Sequence, residues 1–174
     1  MSEFKTSEHK RFTDLLEPVE GQLFVYCRSL TDNDKDAEDL YKDAAERCWK
    51  KFHTLREHKA FRAWFCRIAS RLYFRRYLKP LQRVLVPIDD DARSLVTTFG
   101  EKEIEDRVDA QIIRNTLGKL NPKTRETIAL FYFEDLAIED IRRIQGGSLS
   151  GVKTRLERGR NELKNILMVE RKIK

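Results

Sequence analysis

Leu40, Ala44, Cys48 and Phe52 stand four residues apart, and intervals of three and four between apolar positions recur along most of the chain. That is the period of one face of an α-helix, so a chain patterned this way buries helical stripes and not the alternating faces of strands. Only 7 Gly and 4 Pro punctuate 174 residues, and 37% of the residues are charged, which further favours helices over a sheet. The fold class read from this pattern is all-α. A chain of this length suits one medium domain or two small ones, and two small helical units fit the punctuation best.

Pro18 interrupts the helical spacing of FTDLLEPVEGQLFVYCRSL, residues 12–30, and opens a second helix there. TDNDKD, residues 31–36, is rich in turn and N-cap residues and precedes a helix from about Ala37 to Lys51. HTLREHKA reads as a loop holding His53 and His58, and helical spacing resumes from Phe61 to about Leu78. Pro80 and Pro87 bracket LQRVLV, and PIDDDARSLVTTFG has no sustained period. The expected organisation is a tail at 1–10, a helical domain at 11–79, a flexible linker at 80–105 and a second helical domain at 106–174. Within the second, Asn121 caps and Pro122 starts a helix reaching about Glu134, and Leu136 to Gln145 forms another. Gly146 and Gly147 then turn the chain, and Ser148 caps a last helix from Leu149 to about Val169.

Two short helices joined by a glycine-containing turn have the layout of a helix-turn-helix, whose second helix enters the DNA major groove. Projected at its own period, the last helix places Val152, Leu156, Gly159, Leu163 and Leu167 on one side and Thr154, Glu157, Arg158 and Asn161 on the other, flanked by Lys153 and Arg160. The first set suits a core. The second offers groups that pair with base edges, Arg with guanine and Glu with the cytosine amine. A plain solvated face is the competing reading of these charges, and the Gly-Gly-Ser turn between two amphipathic helices favours DNA.

The net charge of +6 suits a polyanionic partner, but its distribution is more informative. Between Thr31 and Glu46, seven acids (Asp32, Asp34, Asp36, Glu38, Asp39, Asp43, Glu46) face only Lys35 and Lys42. From Phe61 to Arg83 the balance inverts, with Arg62, Arg67, Arg71, Arg75, Arg76, Lys79 and Arg83 among six aromatic rings and no acid. Cations interleaved with rings suit single-stranded nucleic acid, whereas the acidic stretch repels DNA and suits a basic protein surface. Trp64 and Phe65, at helical spacing, read as core. The three cysteines are far apart with no CxxC pair, which argues against a disulfide framework or zinc knuckle and favours idle or buried thiols in a reducing cytoplasm. MSEFKTSEHK has no signal-like apolar core, and no run approaches a membrane span, so a soluble intracellular protein is expected. No nucleophile–base pair or ligand set stands out, so neither an enzyme nor a cofactor, metal or small-molecule substrate is expected.

The order of three stretches, DAEDLYKDAAERCWKKF, LREHKAFRAWFCRIASRL and LGKLNPKTRETIALFYFEDLAIEDIRRIQGGSLSGVKTRLERGRNEL, resembles the small two-domain sigma factors of the extracytoplasmic-function group. The resemblance implies a non-catalytic subunit that binds core RNA polymerase and gives it promoter specificity. It implies that Asp36, Asp39, Leu40, Lys42 and Asp43 dock on the clamp helices of the largest polymerase subunit. Arg56, Glu57, His58, Lys59, Phe61, Arg62 and Arg71 would take the non-template strand of the minus-ten element, where extruding a base costs a few kcal/mol of stacking. Lys153, Thr154, Arg155, Glu157 and Arg158 would read the minus-thirty-five duplex. The flap of the second-largest subunit and an anti-sigma factor are further implied partners. Departures from the family pattern are Ala137 in place of a capping serine, Arg142 and Gln145 in place of small or apolar residues, Ser70, Arg71 and Arg75 where Arg, Asn and Asp are frequent, and Glu157 in place of an aromatic or histidine. A stand-alone helix-turn-helix regulator is the alternative function, separated by tight duplex binding without polymerase.

Overall fold

The computed structural model describes the backbone of residues 2–78 and 111–172 and the side chains of 7–76 and 111–169. The expected linker at 80–105 lies outside the described residues. Among the described residues every regular element is a helix. Helix α1 spans Ser2–Leu16, so helix replaces most of the expected tail, and a 3₁₀ turn at Glu17–Val19 holds Pro18. Helix α2 follows at Glu20–Leu30, α3 at Asp34–Lys50 and α4 at Phe61–Tyr73, the last continuing as a π-helical turn over Phe74–Leu78. After the undescribed segment come α5 over 111–118, α6 at Pro122–Tyr132, α7 at Ile138–Gln145 and α8 at Leu149–Lys172.

Helix α3 starts three residues earlier than its apolar spacing implies, because Asn33 caps it. The Asn33 side chain accepts from the Asp36 amide at 2.8 Å and donates to the Asp36 carboxylate at 2.7 Å. Asp34 and Asp36 lie in the first turn and Arg47 and Lys50 in the last, each sign at the favourable end of the helix dipole. Asn121 caps α6 through the Lys123 amide, with Pro122 at its first turn, and Ser148 caps α8 through the Gly151 amide at 3.1 Å. Ala137 leaves α7 without a side-chain cap. Gly146 and Gly147 both take positive φ, 75° and 85°, a region side chains disfavour, and this lets α7 stop and α8 depart at once.

The N-terminal helices close around Leu23, Tyr26, Leu30, Leu40, Ala44 and Phe65, all fully buried. Cys27, Cys48 and Cys66, one from each of α2, α3 and α4, are free thiols in the same core. Leu117, Leu120, Ile128 and Leu156 form a second cluster inside the C-terminal helices. The first core does not stop at the boundary between the halves, for Ala129, Leu130, Ile141 and Val152 join it, with α2 against α6 and α4 against α7.

Polar groups tie the same boundary. Arg125 donates to the Ser29 carbonyl, to the Thr31 carbonyl at 2.8 Å and to Asp32 at 3.1 Å. Those carbonyls belong to the end of α2, where helical C=O groups lack partners of their own, so one guanidinium completes the helix across the interface. Arg62 donates to both the backbone carbonyl and the carboxylate of Glu134, Ser70 donates to Glu126, and Gln22 donates to the Phe133 carbonyl at 2.6 Å.

Gly159 marks the tightest contact of α8 on α6. A Cβ there would meet Ile128 at 2.8 Å and Thr124 at 2.9 Å, closer than carbon atoms approach. Both neighbours are buried, so any shift that makes room disturbs the packing around them. Gly159→Ala should therefore destabilise the C-terminal helices by about 1–3 kcal/mol through overpacking, despite alanine's better helix propensity. Thermal melting that showed no loss would contradict this packing.

Candidate nucleic-acid interface

On α8 the side chains of Lys153, Thr154, Glu157 and Arg158 are all exposed, while Val152, Leu156 and Gly159 are buried beneath them. Outward and inward sets therefore separate over the first three turns as the helical projection expects, giving a face with two cations, a hydroxyl and one carboxylate acceptor. Leu163, by contrast, is only half-buried, and Leu167, expected inside, is exposed because the helix runs on past the helices it packs against. Arg155, expected on that face, is turned inward and donates to the Gln145 side chain at 3.2 Å. Arg160 donates to the Tyr132 hydroxyl at 2.7 Å and lies over the Phe131 and Tyr132 rings.

The loop between α3 and α4 consists of 3₁₀ turns at Phe52–Thr54 and His58–Ala60, and it exposes Arg56, Glu57, His58 and Lys59. Arg11 of α1 donates to the His58 ring at 3.3 Å. Phe61 is buried against Phe12 and Trp64, so it anchors the loop to the core. Arg62 is held by Glu134, whereas Arg71 is exposed. Arg67 and Arg75, named among the cations of this stretch but not among the residues the resemblance assigns to the minus-ten strand, are also exposed and stand four residues to either side of Arg71 in sequence. A four-residue interval puts residues on one side of a helix, and that interval was the available signal for them.

On α3, Leu40 points into the core, so the accessible surface around it belongs to Asp39, Lys42 and Asp43. Lys42 pairs with Glu38 at 3.3 Å, Asp43 with Arg76, and Asp36 with Asn33. Asp32 and Asp34 are committed to Arg125 and Arg114 of the C-terminal half, and Asp34 also to Arg28 at 3.0 Å. Those pairs hold the Asp34 carboxyl below its ordinary pKa, despite the opposing effect of partial burial. Among the described residues no group of acids, histidines and cysteines is arranged to hold a metal ion.

Sigma-70 region 2 matches residues 15–83, and Sigma-70 region 4 matches residues 110–163. The chain is an extracytoplasmic-function sigma factor. Among curated relatives from Bacillus subtilis (strain 168), the sigma factor is 28% identical to RNA polymerase sigma factor YlaC, over 87% of this chain and 88% of that one. It is 24% identical to ECF RNA polymerase sigma factor SigW, over 96% and 94%. Its structure is similar to the sigma factor RpoE solved in complex with the anti-sigma factor NepR from Bartonella quintana, with TM-score 0.74, 26% identity, and coverage of 92% of this chain and 98% of that one. CnrH, solved with the cytosolic domain of CnrY, shares the fold at TM-score 0.69 and 21% identity, over 97% and 94%. As a sigma factor, the protein binds core RNA polymerase and promoter DNA and directs transcription initiation. The family is not catalytic in itself. No described helix is long and apolar enough to cross a membrane.

The buried carboxylates of the sigma factor are what local sequence reading missed. Glu126 and Glu134 are fully buried, and in both desolvation raises the pKa above the ordinary 4.5 more than the neighbouring cations and hydrogen bonds lower it. For Glu134 the opposing groups are Arg62 and the Cys66 thiol. A carboxyl whose folded pKa exceeds its unfolded one keeps its proton longer in the folded chain. Its contribution to stability is then greatest below the unfolded value and declines as pH rises through the folded one. Glu134→Gln removes this titration, so the variant should gain stability relative to the parent as pH rises above 4.5. Urea unfolding across that range measures the difference, and a constant difference would contradict the burial effect.

Proposed function

We propose that the two halves divide the work. Residues 11–79 hold core polymerase through Asp39, Lys42 and Asp43 on α3, with Asp36 at its start and Leu40 shaping the surface from beneath. The same half takes the unpaired minus-ten strand through Arg56, Glu57, His58, Lys59, Arg62 and Arg71, with Phe61 fixing the loop. Residues 106–174 hold the minus-thirty-five duplex, and 80–105 link the two. The single observation that supports this best is the exposed set Lys153, Thr154, Glu157 and Arg158 on a helix launched by a glycine turn and a serine cap. Arginine and glutamate there suit guanine and the cytosine amine.

Arg62 contacts DNA only after releasing Glu134, so the halves part when promoter is engaged. The family's resemblance to solved sigma–anti-sigma complexes supports an anti-sigma factor as a further partner, acting on a chain that works in the cytoplasm without catalytic activity of its own. Transcription in vitro with purified core polymerase and a random promoter library tests the whole reading. Enrichment of two spaced elements is expected. A chain that binds short duplexes tightly without polymerase, and gives no transcripts with it, would support the stand-alone regulator instead.

A further inference from the structure

We propose that Arg155 is a positioning residue and not a DNA reader, and that Gln145 is the residue that withdraws it from the groove. The inference rests on α8 being the minus-thirty-five helix. Arg155 lies between two exposed neighbours of the reading face, Thr154 and Glu157, separated from the latter only by Leu156. Its own side chain is half-buried, its Nε is shielded from water, and its Nη2 donates to Gln145 Oε1 at 3.2 Å. A guanidinium that reads guanine needs a free pair of N–H groups at its tip, facing outward. Here the base of the group is buried and one tip nitrogen is committed inward.

Gln145 cannot relax this arrangement by turning its amide over. Its Nε2 donates to the Lys123 carbonyl at 3.1 Å and to Glu126 Oε2 at 2.7 Å. The carbonyl can only accept, which fixes the NH2 end, and leaves Oε1 facing Arg155, which can only donate. The Thr127 hydroxyl, 3.0 Å away, sits on the same oxygen. One side chain at the end of α7 thus ties α6 to α8. The positive charge of Arg155 also stabilises the ionised form of buried Glu126, so the arginine has an electrostatic reason to stay inside. Lys123, Glu126, Thr127, Gln145 and Arg155 all belong to the C-terminal half. Parting of the halves removes the Ser70 bond to Glu126 and none of these.

Binding of the full chain with core polymerase to promoter fragments, varied in the upstream element and measured across salt concentrations, tests the proposal. Lys153→Ala should lower the slope of log affinity against log salt by about one. Arg155→Ala should weaken every upstream sequence by the same factor and leave that slope and the base preference unchanged. Gln145→Leu should free the arginine, steepening the slope by about one and shifting the base preference, and Gln145→Leu combined with Arg155→Ala should reverse both changes. A merely structural role would lower affinity without producing a steeper slope that the second substitution cancels. The proposal is overturned if Arg155→Ala alone lowers the slope or alters base preference, or if Gln145→Leu folds and leaves the slope as it was. Should Gln145→Leu fail to fold, Arg155→Ala by itself decides. A flat response to both Lys153→Ala and Arg158→Ala would instead overturn the reading of α8, and the inference with it.

Discussion

Arg125→Ala should part the two halves of the sigma factor while each keeps its helices. Arg125 is only 4% exposed, and its guanidinium makes contacts to the Ser29 and Thr31 carbonyls and to Asp32. Its removal strands two carbonyls at the end of α2 in a place water does not reach freely. Each unmade bond to a buried group costs about 1–3 kcal/mol, and the loss falls on the closed arrangement alone. Other links remain, among them the Arg62–Glu134, Ser70–Glu126, Gln22–Phe133 and Asp34–Arg114 contacts and the apolar seam of Leu130, Ile141 and Val152. The expected result is a larger radius of gyration by small-angle scattering with an unchanged helical circular dichroism signal. An unchanged radius would show that the apolar seam holds the halves without Arg125.

Asp39→Arg should abolish association with core polymerase. Asp39 lies on the accessible side of α3, one turn before Asp43, with Leu40 packed underneath to hold the backbone in place. On the proposed docking surface, reversing this charge removes an attraction to a basic partner and adds a repulsion, and truncations at interface centres alone cost about 2 kcal/mol or more, roughly thirtyfold in affinity. Because Asp39 makes no contribution to the buried core, the fold should survive. Co-elution with core polymerase measures the effect, and undiminished affinity would sink the assignment of α3 as the docking helix.

How much of this was readable from the sequence depends on the range of the interactions involved. The four-residue interval through Leu40, Ala44 and Cys48 sets α3, and Asn121-Pro122 and Gly146-Gly147-Ser148 punctuate the chain where the structure does, because caps and turns act within one or two turns of backbone. The outward set on α8 was legible for the same reason. The closure of the halves was not. Arg125, Glu126 and Glu134 look like solvated charges on amphipathic helices, yet their partners Ser29, Ser70 and Arg62 lie far away in the chain. Periodicity tells which side of a helix is apolar but says nothing of a neighbour that covers its polar side. The contact of Arg155 with Gln145 was hidden by the same limitation, since Arg155 lies at the edge of the inward stripe and its partner is supplied by α7.

The thiols of Cys27, Cys48 and Cys66 also acquire a use from where they sit. Burial pushes all three above the ordinary thiol pKa, so they remain protonated at neutral pH and are poor nucleophiles. A maleimide dye thus finds nothing to alkylate in the closed chain, and its uptake becomes an intrinsic stopwatch for the opening of this core, by withdrawal of Glu134 from Cys66 or by undoing of the first four helices, requiring no engineered label.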